Sequence, residues 1–372
     1  MTAYETRRAR MYDWMAQEGV AMVMLEDAEG KRDPGVRWLS GHPEDALLFL
    51  SVDKRCVLVP WDINIAKIYA DADAIVDYSE FERHPIKAAR TIAEHLKLPS
   101  GSRVEIPSTT AYPSFLKYVE GLGEFDVLCR DGGAADEIQT MRAVKDQEEI
   151  RVYREAARIT NEVIDLLETE IATGRLLSET EVALFIDAAA RVRGCEGTGF
   201  ETIAAGANRS FGIHAVPSYT GDAFGGPGLS ILDFGLKFHG YTSDVTLTVA
   251  RGPLNRTQER MLSLTQKAYD LALGMCANGV PTREIALAVD AHFGKAKKKM
   301  PHSLGHGIGL EAHEAPWIRS RADNDWRLAP GMIFTLEPGL YDPAQGGCRL
   351  ENDVIMTEKG AEVLTRSKII KL

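Results

Sequence analysis

The feature that most constrains this chain is a passage that occurs twice. Residues 159–174, ITNEVIDLLETEIATG, lie on residues 264–279, LTQKAYDLALGMCANG, without a gap. They share Thr160/Thr265, Asp165/Asp270, Leu166/Leu271, Ala172/Ala277 and Gly174/Gly279. After loops that differ by two residues, TEVALFIDAA (180–189) matches REIALAVDAH (283–292) at half of its positions. Amphipathic helices share Ala, Leu and Glu easily, but two consecutive matches in nearly one register favour duplication. Each copy reads as helix, Gly-ended turn, helix, followed by β-like segments. Ser178-Glu-Thr-Glu181 is a capping box that fixes the start of the second helix in the first copy. A duplicated helix-helix-sheet unit predicts two halves joined across a pseudo-twofold axis, with a cleft at the seam.

The repeat occupies only the later part of 372 residues, and a chain of that length calls for two domains. Upstream, short apolar runs bounded by turn residues predict strands at Val20–Leu25, Ala46–Val52, Cys56–Pro60, Arg103–Ile106 and Phe125–Cys129. Between them, Pro85–Leu98 and Tyr112–Leu122 read as helices. This is an α/β domain with a modest sheet. Its histidines, His42, His84 and His95, are isolated from one another and from paired carboxylates, and are read as surface or core residues. The glycine-rich turn Arg130–Ala135 punctuates the chain and divides a domain of residues 1–132 from one of 133–372. Beyond it Ile138, Met141, Ile150, Tyr153, Ile159, Val163 and Leu166 return at helical spacing and predict one long helix. The fold class is α+β.

Charge excludes several partners. Forty-three Lys and Arg against 54 Asp and Glu leave a net charge of -11, with no general attraction for nucleic acid or anionic membrane. The lysine run 295–300 is read as a solvated helix end. Five scattered cysteines have no metal-ligand spacing and suggest no disulfide framework, so a reduced compartment is expected. The first residues are charged and amphipathic, with no apolar run of the signal-peptide kind, and no later stretch approaches a membrane span. The expected location is cytoplasmic.

Chemistry concentrates in the β-like segments after each repeat. Asp233 interrupts the apolar run Leu229–Phe234, and Asp244 opens a strand on which Thr246 and Thr248 share its face. A carboxylate inside an apolar strand is costly unless a cation or strong donors meet it. Two on neighbouring strands would also repel each other, and a metal resolves both problems. The second half supplies His302-Ser-Leu-Gly-His306-Gly-Ile-Gly309, followed by Glu311, His313 and Glu314, then Glu337 in FTLEPG and Glu351 in CRLEND. The glycines around His306 predict a loop or edge strand whose backbone comes close to something. Arg349 and Glu351 share one face. Two Asp, one His and two Glu form a hard, oxygen-rich set that favours Mn²⁺, Co²⁺ or Zn²⁺. Five such groups exceed the three protein ligands of one catalytic zinc. Two cations about 3.5 Å apart fit the count.

In this order, LDFG…GYTSDVTLT, HSLGHGIGLEAHEAP, LEPGLY and GCRLEND resemble the pita-bread metallopeptidases. That family includes Xaa-Pro dipeptidase (prolidase), Xaa-Pro aminopeptidase and methionine aminopeptidase. MRAVKDQEEIRVYREAARIT (141–160) resembles the start of its catalytic domain. WLSGHPEDALLFL (38–50) is similar to the N-terminal domain of its proline-specific, creatinase-like branch. The resemblance implies an N-terminal creatinase-like α/β domain followed by a pita-bread catalytic domain. It also implies two divalent metal ions, with Mn²⁺ preferred over Co²⁺ or Zn²⁺. Asp233 would chelate one metal, Asp244 and Glu351 would bridge both, and His306 and Glu337 would complete the other. A metal-bridging hydroxide would be the nucleophile and Glu337 the general base and acid. His214, in FGIHAVPS, falls near the expected scissile bond; His302 and His313 are expected to bind substrate and stabilise the oxyanion. Arg349 is expected to orient ligand carboxylates, and Tyr241 to help wall the pocket. His239 and His292 match nothing in the pattern and are read as structural, and Glu311 and Glu314 as exposed or structural acids.

The chain departs from the family at Leu247, where many relatives carry Arg, and at Leu304, where many carry Thr. The loop GDAFGGPG is also slightly long. The expected activity is hydrolysis of Xaa-Pro peptide bonds in short peptides, by a dipeptidase or aminopeptidase that forms a homodimer. The alternatives are a metalloenzyme of the same fold acting on a non-peptide small molecule, by amide hydrolysis or lyase chemistry, and a non-catalytic binding module. An intact ligand set disfavours the metal-free and non-catalytic relatives.

Overall fold

Short apolar runs upstream and long amphipathic helices downstream give two compact units, Met1–Met141 and Arg142–Leu372. The computed structural model describes all 372 residues. The first unit holds strands β1 (Met22–Asp27), β2 (Ala46–Ser51), β3 (Arg55–Pro60), β4 (Ala74–Ile75), β5 (Arg103–Glu105) and β6 (Asp126–Leu128). They form one sheet in the order β4-β3-β2-β1-β5-β6, antiparallel at β1–β2–β3 and parallel elsewhere. Helices α1 (Ala3–Glu18), α2 (Pro34–Ser40), α3 (Ile63–Tyr69), α4 (Pro85–His95) and α5 (Tyr112–Gly121) complete it. The five expected strands form to within a few residues. Helix α1 starts at a Thr2–Glu5 capping box and stops at Gly19, which takes a left-handed conformation. His84 is the N-cap of α4, and its Nδ1 accepts the Lys87 N–H.

The long helix expected after residue 135 is two helices, α6 (Ala134–Ala143) and α7 (Gln147–Ala172). The break has a local cause. Asp146 accepts the N–H groups of Glu148 and Glu149 while Glu149 returns a carboxylate to the Asp146 N–H, so a new helix start is built at that point. The unit boundary falls near the end of α6, whereas the turn at 130–135 runs into the start of that helix.

In the second unit α7 and α8 (Glu179–Arg191) form the first copy of the repeat, and α9 (Arg256–Met275) and α10 (Thr282–Lys295) the second. The shared glycines, Gly174 and Gly279, both have positive φ and turn the chain between helices, which is why each copy keeps one. Beside the first pair lie β7 (Gly197–Thr198), β8 (Ile203–Ala205), β9 (Gly228–Phe234), β10 (Leu236–Phe238), β11 (Tyr241–Thr242) and β12 (Val245–Arg251). After the second pair come β13 (Gly305–Gly307), β14 (Glu314–Ile318), β15 (Ile333–Leu336), β16 (Gly339–Asp342), β17 (Gly346–Arg349), β18 (Asn352–Thr357), β19 (Gly360–Val363) and β20 (Ile369–Lys371).

Two sheets dominate, ordered β20-β12-β9-β8 and β14-β13-β15-β18-β19. Each packs an apolar core against its own helix pair: Val163, Ile186 and Leu232 in one, Tyr269, Val289 and Phe334 in the other. The sheets meet where β12 runs beside the chain between β17 and β18. There Thr246 bridges to Glu351, and the Thr248 hydroxyl donates to the Arg349 carbonyl at 2.8 Å. The passage around His306 is not an edge. It is β13, paired with β14 on one side and β15 on the other. A Cβ at Gly305 would strike the Thr335 carbonyl, and one at Gly307 the Ala315 carbonyl, so the glycines admit neighbouring strands.

Candidate metal centre

Asp233 lies on β9, directly across from Thr246 on β12. Asp244 ends the turn into β12, His306 is the middle residue of β13, Glu337 follows β15, and Glu351 joins β17 to β18. All five side chains are thus set by strands or strand ends, which hold them more tightly than loops would. Ligand atoms of Asp244, His306 and Glu351 lie within 4.8 Å of one another, and all three residues are buried. Glu337 borders this group, with Oε1 3.6 Å from His306 Nε2, while Asp244 Oδ2 is 3.8 Å from the same nitrogen. Asp233 borders it through Thr246 and Arg349: Arg349 Nη2 donates to Asp233 Oδ2 at 2.5 Å and Nε to the Thr246 hydroxyl at 2.8 Å. That hydroxyl in turn donates to Glu351 Oε2 at 2.7 Å.

The electrostatics are unfavourable as they stand. Burial and the neighbouring Glu351 charge push the Asp244 carboxyl well above its ordinary value, and the same two causes raise Glu337. Glu351 is pushed up to about 7 by burial and by Asp233. Oδ1 of Asp233 and Oδ1 of Asp244 are buried without a hydrogen-bond partner. His306 Nδ1 lies 3.0 Å from the Gly307 carbonyl, which can only accept, so its proton sits there and the Nε2 lone pair faces the carboxylates. Burial and the nearby His313 lower this imidazole to about 3, so it is neutral. Crowded carboxylates, orphaned oxygens and an aimed imidazole lone pair fit hard divalent cations.

The remaining histidines surround this cluster unequally. His313 is exposed, its ring 4.2 Å from that of His306. His214 is exposed on the irregular passage after β8; burial lowers His302, to about 4, and His313, with His214 a lesser contributor to each. His302 has both nitrogens occupied. Nδ1 donates to the Ser303 carbonyl at 2.8 Å, which leaves Nε2 to accept the Tyr341 hydroxyl at 3.0 Å. Tyr341 oxygen also accepts Arg349 Nη1 at 2.8 Å.

Three polar residues of the site had been given no role in the sequence: Thr246, Tyr341 and Asp353, whose Oδ2 accepts the Asp244 N–H at 3.2 Å. Period-two alternation carries a signal for two of them: Thr246 follows Asp244 by two and Asp353 follows Glu351 by two, whereas Tyr341 has no such signal. Tyr241, expected at the pocket, is instead a core residue beside Val152 and Ile333, with its hydroxyl donating to Glu149 at 3.0 Å. Glu314, read as exposed or structural, is buried between Arg142 and Lys145. His239 packs edge-on against Phe238 and His292 meets the Leu264 carbonyl.

Fold and site together define a metalloenzyme, with an acidic, imidazole-flanked centre where two duplicated sheets meet. A profile of metallopeptidase family M24 matches residues 151–358. The Xaa-Pro dipeptidases of Pyrococcus horikoshii and Pyrococcus furiosus are 33% and 34% identical over 236 residues. Those matches cover 63% of this chain and span 65% and 66% of the relatives' own lengths, about two thirds. Among solved structures, an X-Pro aminopeptidase from Thermotoga maritima superposes with a TM-score of 0.83 at 25% identity, covering 98% of this chain and 99% of that one. An Xaa-Pro dipeptidase from Bacillus anthracis gives the same score and identity, with 99% and 100% covered. The chain belongs to metallopeptidase family M24.

Proposed function

We propose that this chain hydrolyses Xaa-Pro peptide bonds in short peptides, using two divalent cations held by Asp233, Asp244, His306, Glu337 and Glu351. The observation that carries this reading is the buried Asp244–His306–Glu351 cluster, with its orphaned carboxylate oxygens and the lone pair of His306 turned inward. The names of the similar dipeptidases and aminopeptidase support the substrate class. Bound at these residues, the cations would supply Lewis acidity and a water acidic enough to ionise near neutral pH.

The chain's own residues do the rest. Glu337 lies between two imidazoles, Oε1 at 3.6 Å from His306 and Oε2 at 3.6 Å from His302, and is placed to take up a proton and return it to the leaving nitrogen. Without a proton the proline nitrogen would have to leave as a strongly basic anion, so this proton delivery is required. His313 and His214 are exposed beside the cluster, and each imidazole can donate an N–H to a developing oxyanion or to substrate. His302 is pinned by Tyr341 and Ser303, so substrate must displace the Tyr341 hydroxyl to reach its Nε2. Arg349 holds Asp233, Thr246 and Tyr341 at once and keeps their orientation. Mn²⁺ as the working metal, a homodimer and a cytoplasmic location belong to the same proposal.

The test strips metal with chelator, restores Mn²⁺, Co²⁺ or Zn²⁺, and assays Ala-Pro, Ala-Pro-Ala and Met-Ala. Metal-restored cleavage before proline, lost in Glu337→Ala, is expected. The two proline substrates separate dipeptidase from aminopeptidase. Two bound metals with no peptide cleaved would overturn the peptidase reading and leave the small-molecule alternative.

A further inference from the structure

We propose that Glu179 is a positioning residue, fastening both ends of the passage that carries His214 and so setting that histidine's place at the site. Glu179 is the first residue of α8 and is fully buried. An acidic residue there ordinarily serves the amides of its own first turn. That service falls to Ser178 and Glu181, which form the capping box. Glu179 turns away from its helix instead. Oε1 accepts the Gly206 N–H at 2.8 Å and Arg209 Nε at 3.1 Å. Oε2 accepts the Thr220 N–H and the Thr220 hydroxyl, each at 2.8 Å. Four donors thus saturate the carboxylate, and they come from both ends of residues 206–220.

His214 makes no hydrogen bond of its own, so the frame around it decides where it stands. Arg209, held by Glu179, donates onward to the Pro217 carbonyl, and Arg349 Nη1 donates to the Ile213 carbonyl at 3.0 Å. The frame therefore runs from Glu179 at the ends of the passage to Arg349 at its middle.

The internal repeat supplies an independent observation. One step before the matched segments 180–189 and 283–292, Glu179 falls on Thr282. Thr282 is also fully buried and also turns off its helix start. Its hydroxyl donates to the Trp317 carbonyl at 2.8 Å and accepts Asn324 Nδ2 at 2.9 Å. Trp317 lies on β14, the strand that begins directly after His313. The same position in each half fastens the passage bearing an exposed histidine.

The inference rests on the role given above to His214, so the experiment reads the loop and the chemistry separately. Glu179→Gln keeps the volume but replaces one acceptor by an amide that can only donate. In the metal-loaded full chain, amide hydrogen exchange over residues 206–222 is measured beside metal content. kcat and KM on Ala-Pro are measured for Glu179→Gln, His214→Ala and the double variant. Expected are exchange faster by roughly tenfold or more, confined to that passage, and unchanged metal. A loss in kcat/KM on the order of tenfold to a hundredfold is also expected, with no further loss when His214 is already Ala. Should the Gln variant not fold, Glu179→Asp, which draws the charge back by one methylene, reads the same exchange. Parent-like exchange would overturn the proposal whatever the kinetics. A freed loop with a kinetically silent His214→Ala would uphold the anchor and overturn the role of the histidine.

Discussion

Asp244, buried beside Glu351, Asp233 and Glu337, makes the metal-free protein unstable at its own site. Asp244→Asn keeps the shape and removes one repelling charge; Oδ1 there has no partner to lose. At pH 8 without metal, the variant is expected to be more stable than the parent by roughly 1 kcal/mol. With metal the order reverses, because a ligand is gone. Calorimetric melts with chelator and with Mn²⁺ check both signs. The pH dependence follows from Glu351, raised from 4.5 to about 7 by burial and by Asp233. The folded metal-free protein holds a proton that the unfolded chain releases. Its contribution to stability is complete below pH 4.5 and is lost as pH rises through 7. Bound cations replace the proton, so urea midpoints across this window should fall with pH only in the metal-free protein. At this scale the charged residues were legible because a carboxylate in an apolar strand advertises itself. Tyr341 was not, since a hydroxyl on a strand is ordinary until its partners are known.

Elements were legible where a local rule governs them. The capping box at Ser178 and the glycines ending both repeat helices stand as read. Reading one helix across residues 143–147 failed because apolar spacing carries on through a helix break, while the capping signal Asp146–Glu149 was passed over. The strand around His306 was misplaced at an edge because its glycines hide which neighbours approach it. The break between α6 and α7 has a consequence. It places Arg142 and Lys145 around Glu314 on β14, with Lys145 Nζ 2.7 Å from Oε1 and all three residues buried. Their charges hold Glu314 below its ordinary value against the burial that would raise it. Lys145→Met leaves one carboxylate oxygen without its cation, and a loss on the order of 3 kcal/mol is expected. A chemical-denaturation midpoint measures it; replacing Arg151, which pairs with Glu148 on an exposed face, should change almost nothing.

For the whole molecule, duplication decides where chemistry can be. Two copies of one helix-helix-sheet unit bury their apolar faces separately, so the polar seam between the sheets is where charged groups from both halves can converge. All five proposed ligands, the three flanking histidines, Arg349 and Glu179 belong to the unit that begins at Arg142. The first unit has its own sheet and its own core around Met24, Phe49 and Val104, and none of the centre's side chains. A fragment of residues 134–372, starting at α6 so that Arg142 keeps its helix, is therefore expected to fold and to bind metal with the stoichiometry of the full chain. Its melting temperature should rise with added Mn²⁺, by about 2.7 kcal/mol of stabilisation at a hundredfold excess over the dissociation constant. Cleavage of Ala-Pro by the same fragment then divides the work between units. Retained turnover would place substrate recognition wholly in the repeat, whereas full metal binding with lost turnover would assign the first unit a part in holding the peptide. A fragment that folds without binding metal would contradict the division drawn here, since every group proposed to hold the cations is present in it.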